Sequence, residues 1–125
     1  MYLIKKNNVI TLTRGDYFKM PIIITTGSFP FQKEWELTEG DHVFFGLMEP
    51  HAPFEKAIIK KDITCEDMDS EGNLFLELLP EETMNLCPGV YYYEIKAIYK
   101  EYTSSEEYIT HIDTITQRTK FILVE

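Results

Sequence analysis

The chain has 125 residues and a mass of 14.7 kDa, the size of a single domain. Its 44% hydrophobic and 14% aromatic content is enough to bury roughly two-thirds of the unfolded surface without metals or crosslinks, which excludes an intrinsically disordered chain. Its 21 acidic against 12 basic residues leave a formal charge of −9. That charge argues against a nucleic-acid or anionic-membrane partner, whose binding draws on clustered Lys and Arg.

Read in chain order, apolar residues recur at strand spacing between turn formers. Val9 to Thr13 is a first short strand, stopped by Arg14-Gly15-Asp16. Tyr17 to Thr26 is a second, and its Ile22-Ile23-Ile24 centre suggests cover on both faces. Pro21 lacks an N–H and so belongs at an edge, a bulge or the strand's start. Phe29 to Gly40 is a polar and aromatic connection holding the only tryptophan, Trp35.

Asp41 to Met48 reads as a strong strand, closed by Glu49-Pro50-His51-Ala52-Pro53, with Phe54 to Lys61 as the next strand. Glu66 to Asn73 is a turn and Leu74 to Leu79 a strand. Pro80 to Leu86 is the one helical piece, with Pro at its start and acids in its first turn. Pro88-Gly89 launches Val90 to Tyr102, whose odd positions are apolar and even positions mixed, the pattern of a strand packed on one side. Tyr108 to Thr116 and Thr119 to Val124 complete the set.

Eight or nine short strands, and no helix long enough to alternate with them, predict an all-β domain over residues 1–125. The expected form is a two-sheet antiparallel β-sandwich. The N-terminus lacks the long apolar region of a signal peptide, and no apolar run approaches the ~20 residues of a membrane span. Synthesis in the cytoplasm and no membrane contact are the expectations.

Residues that carry chemistry are present but not grouped. His42, His51 and His111 have no metal-pair spacing. Asp67, Asp69, Glu71 and Gly72 resemble the start of a calcium loop, but its twelfth position would be Leu78, where a glutamate is required. An acidic turn is the simpler reading. No serine sits in a nucleophile elbow, and the glycines form no phosphate loop. Cys65 and Cys87 fit no metal motif and read as free thiols, though only the fold decides whether they meet. The residues point to no enzyme, cofactor or metal.

Two features suggest assembly instead. Phe29, Phe31 and Trp35 in a connection, and Tyr92 pointing away from the core that Tyr91 and Tyr93 enter, are candidate interface residues. They equally suit the cap of a sandwich end, or a sugar platform beside carboxylates. In addition, Ile22–Ile24, Val43–Met48 and Phe121–Val124 are apolar on both faces, which suggests an outer surface covered by another subunit.

Three segments occur in a recognisable order: Leu12-Thr13-Arg14-Gly15-Asp16, Asp41 to Pro50, and Leu86-Cys87-Pro88-Gly89-Val90-Tyr91-Tyr92-Tyr93-Glu94-Ile95. This order resembles the N-terminal domain of phage baseplate upper proteins (the BppU type) and related small prophage structural proteins. The resemblance implies an immunoglobulin-like sandwich acting as a structural adaptor in a tail or baseplate. It also implies a virion location, other tail or baseplate proteins as partners, and commonly a homo-oligomer. The alternative is a carbohydrate- or host-surface-binding module. Arg14-Gly15-Asp16 itself reads as a turn.

Overall fold

The computed structural model describes residues 2–4, 7–26, 33–34 and 37–125. Within them lie strands β1 (Tyr2–Ile4), β2 (Ile10–Thr13), β3 (Phe18–Ile22), β4 (Thr25–Thr26), β5 (Lys33–Glu34), β6 (His42–Met48), β7 (Ile59–Ile63), β8 (Leu74–Leu78), β9 (Gly89–Tyr102) and β10 (Tyr108–Val124). A one-turn helix, α1, covers Pro80–Thr83. The domain is an all-β sandwich, as its alternating pattern predicts. Its larger sheet has the order β1-β2-β10-β9-β6-β7, and two-stranded sheets form from β3-β8 and β4-β5.

Strand β9 sets the layering. Tyr91, Tyr93, Ile95, Ala97 and Tyr99 are buried while the residues between them are half-exposed, so one face of the large sheet carries the core. Val43, Phe45 and Leu47 extend that face across β6, and Phe121, Leu123, Ile10 and Leu12 extend it across β10 and β2. Opposite them, Phe18, Ile22, Leu74, Leu76 and Leu78 come from β3 and β8. Aromatic rings link the two layers: Phe18 meets Phe121 edge-on at 6.4 Å, and within the large sheet Phe121 in turn meets Tyr93 at 6.3 Å. The Tyr93 hydroxyl donates to the Asn8 carbonyl at 2.5 Å, which joins the core to the β1–β2 connection.

Several predicted elements are revised. Phe54 to Lys61 is not one strand: Phe54–Lys56 form a 3-10 turn and only Ile59–Ile63 pair with β6. Prolines at 50 and 53 bend the approach, and i→i+3 bonds from Lys56 and Ala57 close the turn. The helical piece ends at Thr83 rather than Leu86. Tyr108–Thr116 and Thr119–Val124 form one strand, interrupted by register shifts against β9 between Thr114 and Thr119. The ladder between β10 and β2 is parallel, the exception in an otherwise antiparallel large sheet. Strand β1 was not anticipated.

The doubly apolar segments divide. In β6 the second face is covered by the chain itself: Gly46 and Met48 are buried, with the Phe54 ring over Gly46. No other subunit is needed there. Ile22 and Ile24 are buried but Ile23 between them is 63% exposed, so that strand is covered on one side only. Strand β3 stops at Ile22 because its partner β8 begins at Leu74, directly after the Gly72 turn.

Arg14-Gly15-Asp16 is a turn, with Gly15 at φ +81°. The Gly15 N–H donates to Thr83 Oγ1 at 3.0 Å, so the buried Thr83 of α1 docks on this turn. The Cys87-Pro88-Gly89 segment is held by the Tyr91 hydroxyl, which donates to the Cys87 carbonyl at 2.6 Å.

Candidate interaction surface

Strands β9 and β10 run together beyond the sandwich as a hairpin arm closed by residues 103–107. Near its tip the apolar residues lose their cover. Tyr102, Tyr108, Ile109 and Ile112 are all exposed, Ile112 to 68%. Tyr102 and Tyr108 meet edge-on at 5.6 Å, and the Lys100 ammonium lies over the Tyr108 ring at 4.6 Å. Single exposed apolar residues are normal on a surface, but here Tyr102, Tyr108 and Ile112 share one face of the arm and Ile109 stands on the other.

The same arm has an open edge. One side of β10 pairs with β9 along its length, while on its other side β2 pairs only with Phe121–Val124. Among the described residues, no strand pairs with the far edge of residues 108–117. An unpaired row of N–H and C=O groups is a template for another chain, and folded proteins guard such edges with lysine, proline or brevity.

Three other edges are guarded in those ways. Edge β7 carries Lys60 and Lys61, β1 has three residues, and β3 carries Lys19 and Pro21. Residues 108–117, Tyr-Ile-Thr-His-Ile-Asp-Thr-Ile-Thr-Gln, contain no lysine and no proline. Among the described residues, this stretch of edge is unpaired and carries none of those guards.

Of the interface residues anticipated from sequence, Phe29, Phe31 and Trp35 lie outside the described residues. Tyr92 does point away from the core, as expected, but it is half-buried under the Arg118 guanidinium, 5.0 Å from its ring centre. Arg118 in turn donates to the Ala52 carbonyl at 2.8 Å and the Glu49 carbonyl at 3.3 Å. These bonds tie β10 to the Glu49–Ala52 turn, in which His51 adopts φ +69°. Tyr92 thus supports a loop of its own chain. The arm residues Ile109 and Ile112 were not anticipated, although their alternation with Thr110 and Asp113 marks a strand with apolar residues on both faces.

The polar residues singled out earlier have local partners. Asp69 Oδ1 accepts from the N–H groups of Glu71 and Asn73, bonds that hold its carboxyl below the usual range. Asp67 accepts from the Thr64 N–H. Both carboxylates serve their own turns. His42 stacks on Phe44 and lies 2.7 Å from Asp62, while His111 stacks on Tyr99, so the two sit in separate places. Among the described residues, no three His, Cys, Asp or Glu converge as a metal site would require, and both cysteines are free.

Two tyrosines give the domain a pH signature. Burial pushes Tyr93 up to about 12. The hydrogen bond to Asp113, followed by burial, does the same for Tyr99. A raised folded-state pKa favours the protonated phenol, so this stability is complete below pH ~10 and is lost as pH climbs towards 12. Denaturant midpoints should therefore fall steeply between pH 10 and 12. In Tyr93→Phe the fall should shrink by on the order of 2 kcal/mol; an unchanged alkaline slope in that variant would show that Tyr93 ionises as freely folded as unfolded.

No family model, curated protein or solved structure matches the chain. Among the described residues, no helix is long and apolar enough to cross a membrane.

Proposed function

We propose that this chain is a non-enzymatic assembly module, a phage or prophage tail or baseplate adaptor whose contacts are made by strand edges rather than by a cleft. The observation that carries the assembly role is the open, unguarded edge of β10 beside four exposed apolar side chains. The phage context is supported by the order of the three sequence segments. Each of those segments serves the sandwich: the Gly15 turn docks α1, Asp41 heads β6, and Pro88-Gly89 opens β9.

In this reading the surplus of negative charge keeps the free subunit soluble until it meets its partners, and orients it towards basic surfaces. The arm supplies backbone hydrogen bonds, and its apolar side chains supply the desolvated contact. The decisive experiment uses an antibody to the chain on particles purified after prophage induction. Immunogold label on the tail or baseplate is expected. Finding the chain in the cell extract but absent from washed particles would sink the virion role.

A further inference from the structure

We propose that two copies of this chain pair edge to edge along β10, antiparallel about a two-fold axis at Ile112, so that their large sheets become one. This pairing presupposes the assembly role above and names one partner for it, a second copy.

The register follows from which residues face one another. Around a two-fold axis, positions equally distant from the centre are opposed and share a face of the joined sheet. With Ile112 at the centre, Ile112 meets Ile112 of the second copy, and Thr110 meets Thr114. His111 meets Asp113, while Ile115, the position that would face Ile109, falls in the register shift and packs on its own core. Apolar opposes apolar, hydroxyl opposes hydroxyl, and an imidazole opposes a carboxylate, the combinations that stabilise cross-strand pairs.

Neighbouring registers lose this match. Centring on Asp113 sets two carboxylates against each other, and centring on His111 sets Ile109 against Asp113. Centring on Thr110 opposes Glu107 and Asp113. Among these registers, only the one centred on Ile112 opposes no like charges and no apolar residue to a charge.

The geometry of the single chain allows it. Tyr108–Thr114 keep a regular ladder with β9, so the far edge of these seven residues is straight until the register shift that follows. Ile112 and Ile109, at 68% and 52% exposed, lie on opposite faces, so pairing covers both faces of the arm. His111 is already placed: its ring stacks on Tyr99 at 5.1 Å, and its Nε2 lies 3.0 Å from Glu101 without an aligned hydrogen bond. A strand contact of this length is small, and the dimer belongs to the weak, concentration-dependent class. The −9 charge on each copy opposes it at low salt.

The test is sedimentation equilibrium at moderate salt, up to about 1 mM protein, the weak end of specific association. Wild type, Ile112→Lys, Ile112→Glu and an equimolar mixture of the two variants are compared. Because Ile112 is exposed, both variants should melt like the wild type. The wild type should dimerise. Each variant alone sets like charges across the axis and should dissociate about a hundredfold more readily. The mixture should recover the dimer, because lysine then faces glutamate.

A wild type monomeric throughout the series overturns the pairing. A dimer indifferent to Ile112→Lys also overturns it, yet leaves assembly through another surface standing. Two monomeric variants that do not rescue each other overturn the Ile112 register. The assembly role itself is judged separately, by the particle labelling.

Discussion

Replacing Asp41 with alanine should lower the unfolding free energy by about 3 kcal/mol, the largest loss expected from any single substitution considered. The carboxylate is 1% exposed. Oδ2 accepts from the Thr38 N–H at 3.1 Å and the Thr38 hydroxyl at 2.9 Å, and Oδ1 accepts from the Lys100 N–H at 3.1 Å. The reason lies in the ladder. β6 pairs with β9 as far as His42 and Ile98, and two residues on, the chain leaves the sheet at Gly40, with φ +90°. Lys100 would then lack a backbone acceptor, and the Asp41 side chain replaces it.

Alanine leaves two backbone N–H groups and a hydroxyl without that acceptor. Hydrogen bonds to charged groups are worth about 1.5–3 kcal/mol each, and partial access of water to the turn offsets some of the loss. Asparagine should cost less, about 2 kcal/mol, because it keeps one oxygen but turns an NH2 towards a donor. Urea titration checks both, with an unchanged slope and a lower midpoint. A loss under about 1 kcal/mol for alanine would mean the carboxylate does not hold the start of β6.

Gly46→Ala should destabilise by about 1–2 kcal/mol, opposite in sign to what strand propensity predicts. Gly within a strand is ordinarily about 0.5–1 kcal/mol worse than Ala, so an open site would gain from the change. Here a Cβ would stand 2.6 Å and 2.9 Å from two ring carbons of Phe54 and 3.2 Å from the Ala57 Cβ. The ring has little freedom to retreat. Lys96 lies over it at 4.6 Å, and the Ile58 N–H donates to the Leu47 carbonyl at 2.7 Å, fixing the segment behind it.

A double-mutant cycle with Phe54→Ala separates the two effects. Phe54→Ala alone loses the cover over Gly46. The pair together should be more stable than the sum of the single losses by about 1 kcal/mol, because the clash is gone. Thermal melts of the four proteins suffice, since each kcal/mol moves the midpoint by several degrees in a domain of this size. A stabilising Gly46→Ala would show that Phe54 swings aside at no cost.

Strand and turn physics made much of this fold legible in the sequence. The alternation through Val90–Tyr102 gave the buried and half-exposed faces of β9 correctly, and the run through Val43–Met48 gave β6. Gly15 marked its turn and Pro80 the start of the helix. These signals are local: a period of two reports which side chains share a face, and glycine or proline reports a backbone constraint.

The candidate surface was less legible. A doubly apolar strand announces that both faces are covered or that one is waiting for cover, and it is silent about which. In β6 the cover is Phe54, eight residues from Gly46 and read from sequence as part of a strand. In β10 the same kind of pattern has no cover among the described residues, and Ile112 stands out in solvent.

What the sequence by itself determined is the class, an all-β sandwich with an acidic surface, and the alternation that builds its core. Tertiary structure alone decided the order of strands, the parallel docking of β2 on the end of β10, and hence which edge stays open. Periodicity is a property of each strand taken singly, whereas an edge exists only once every strand has chosen its neighbours.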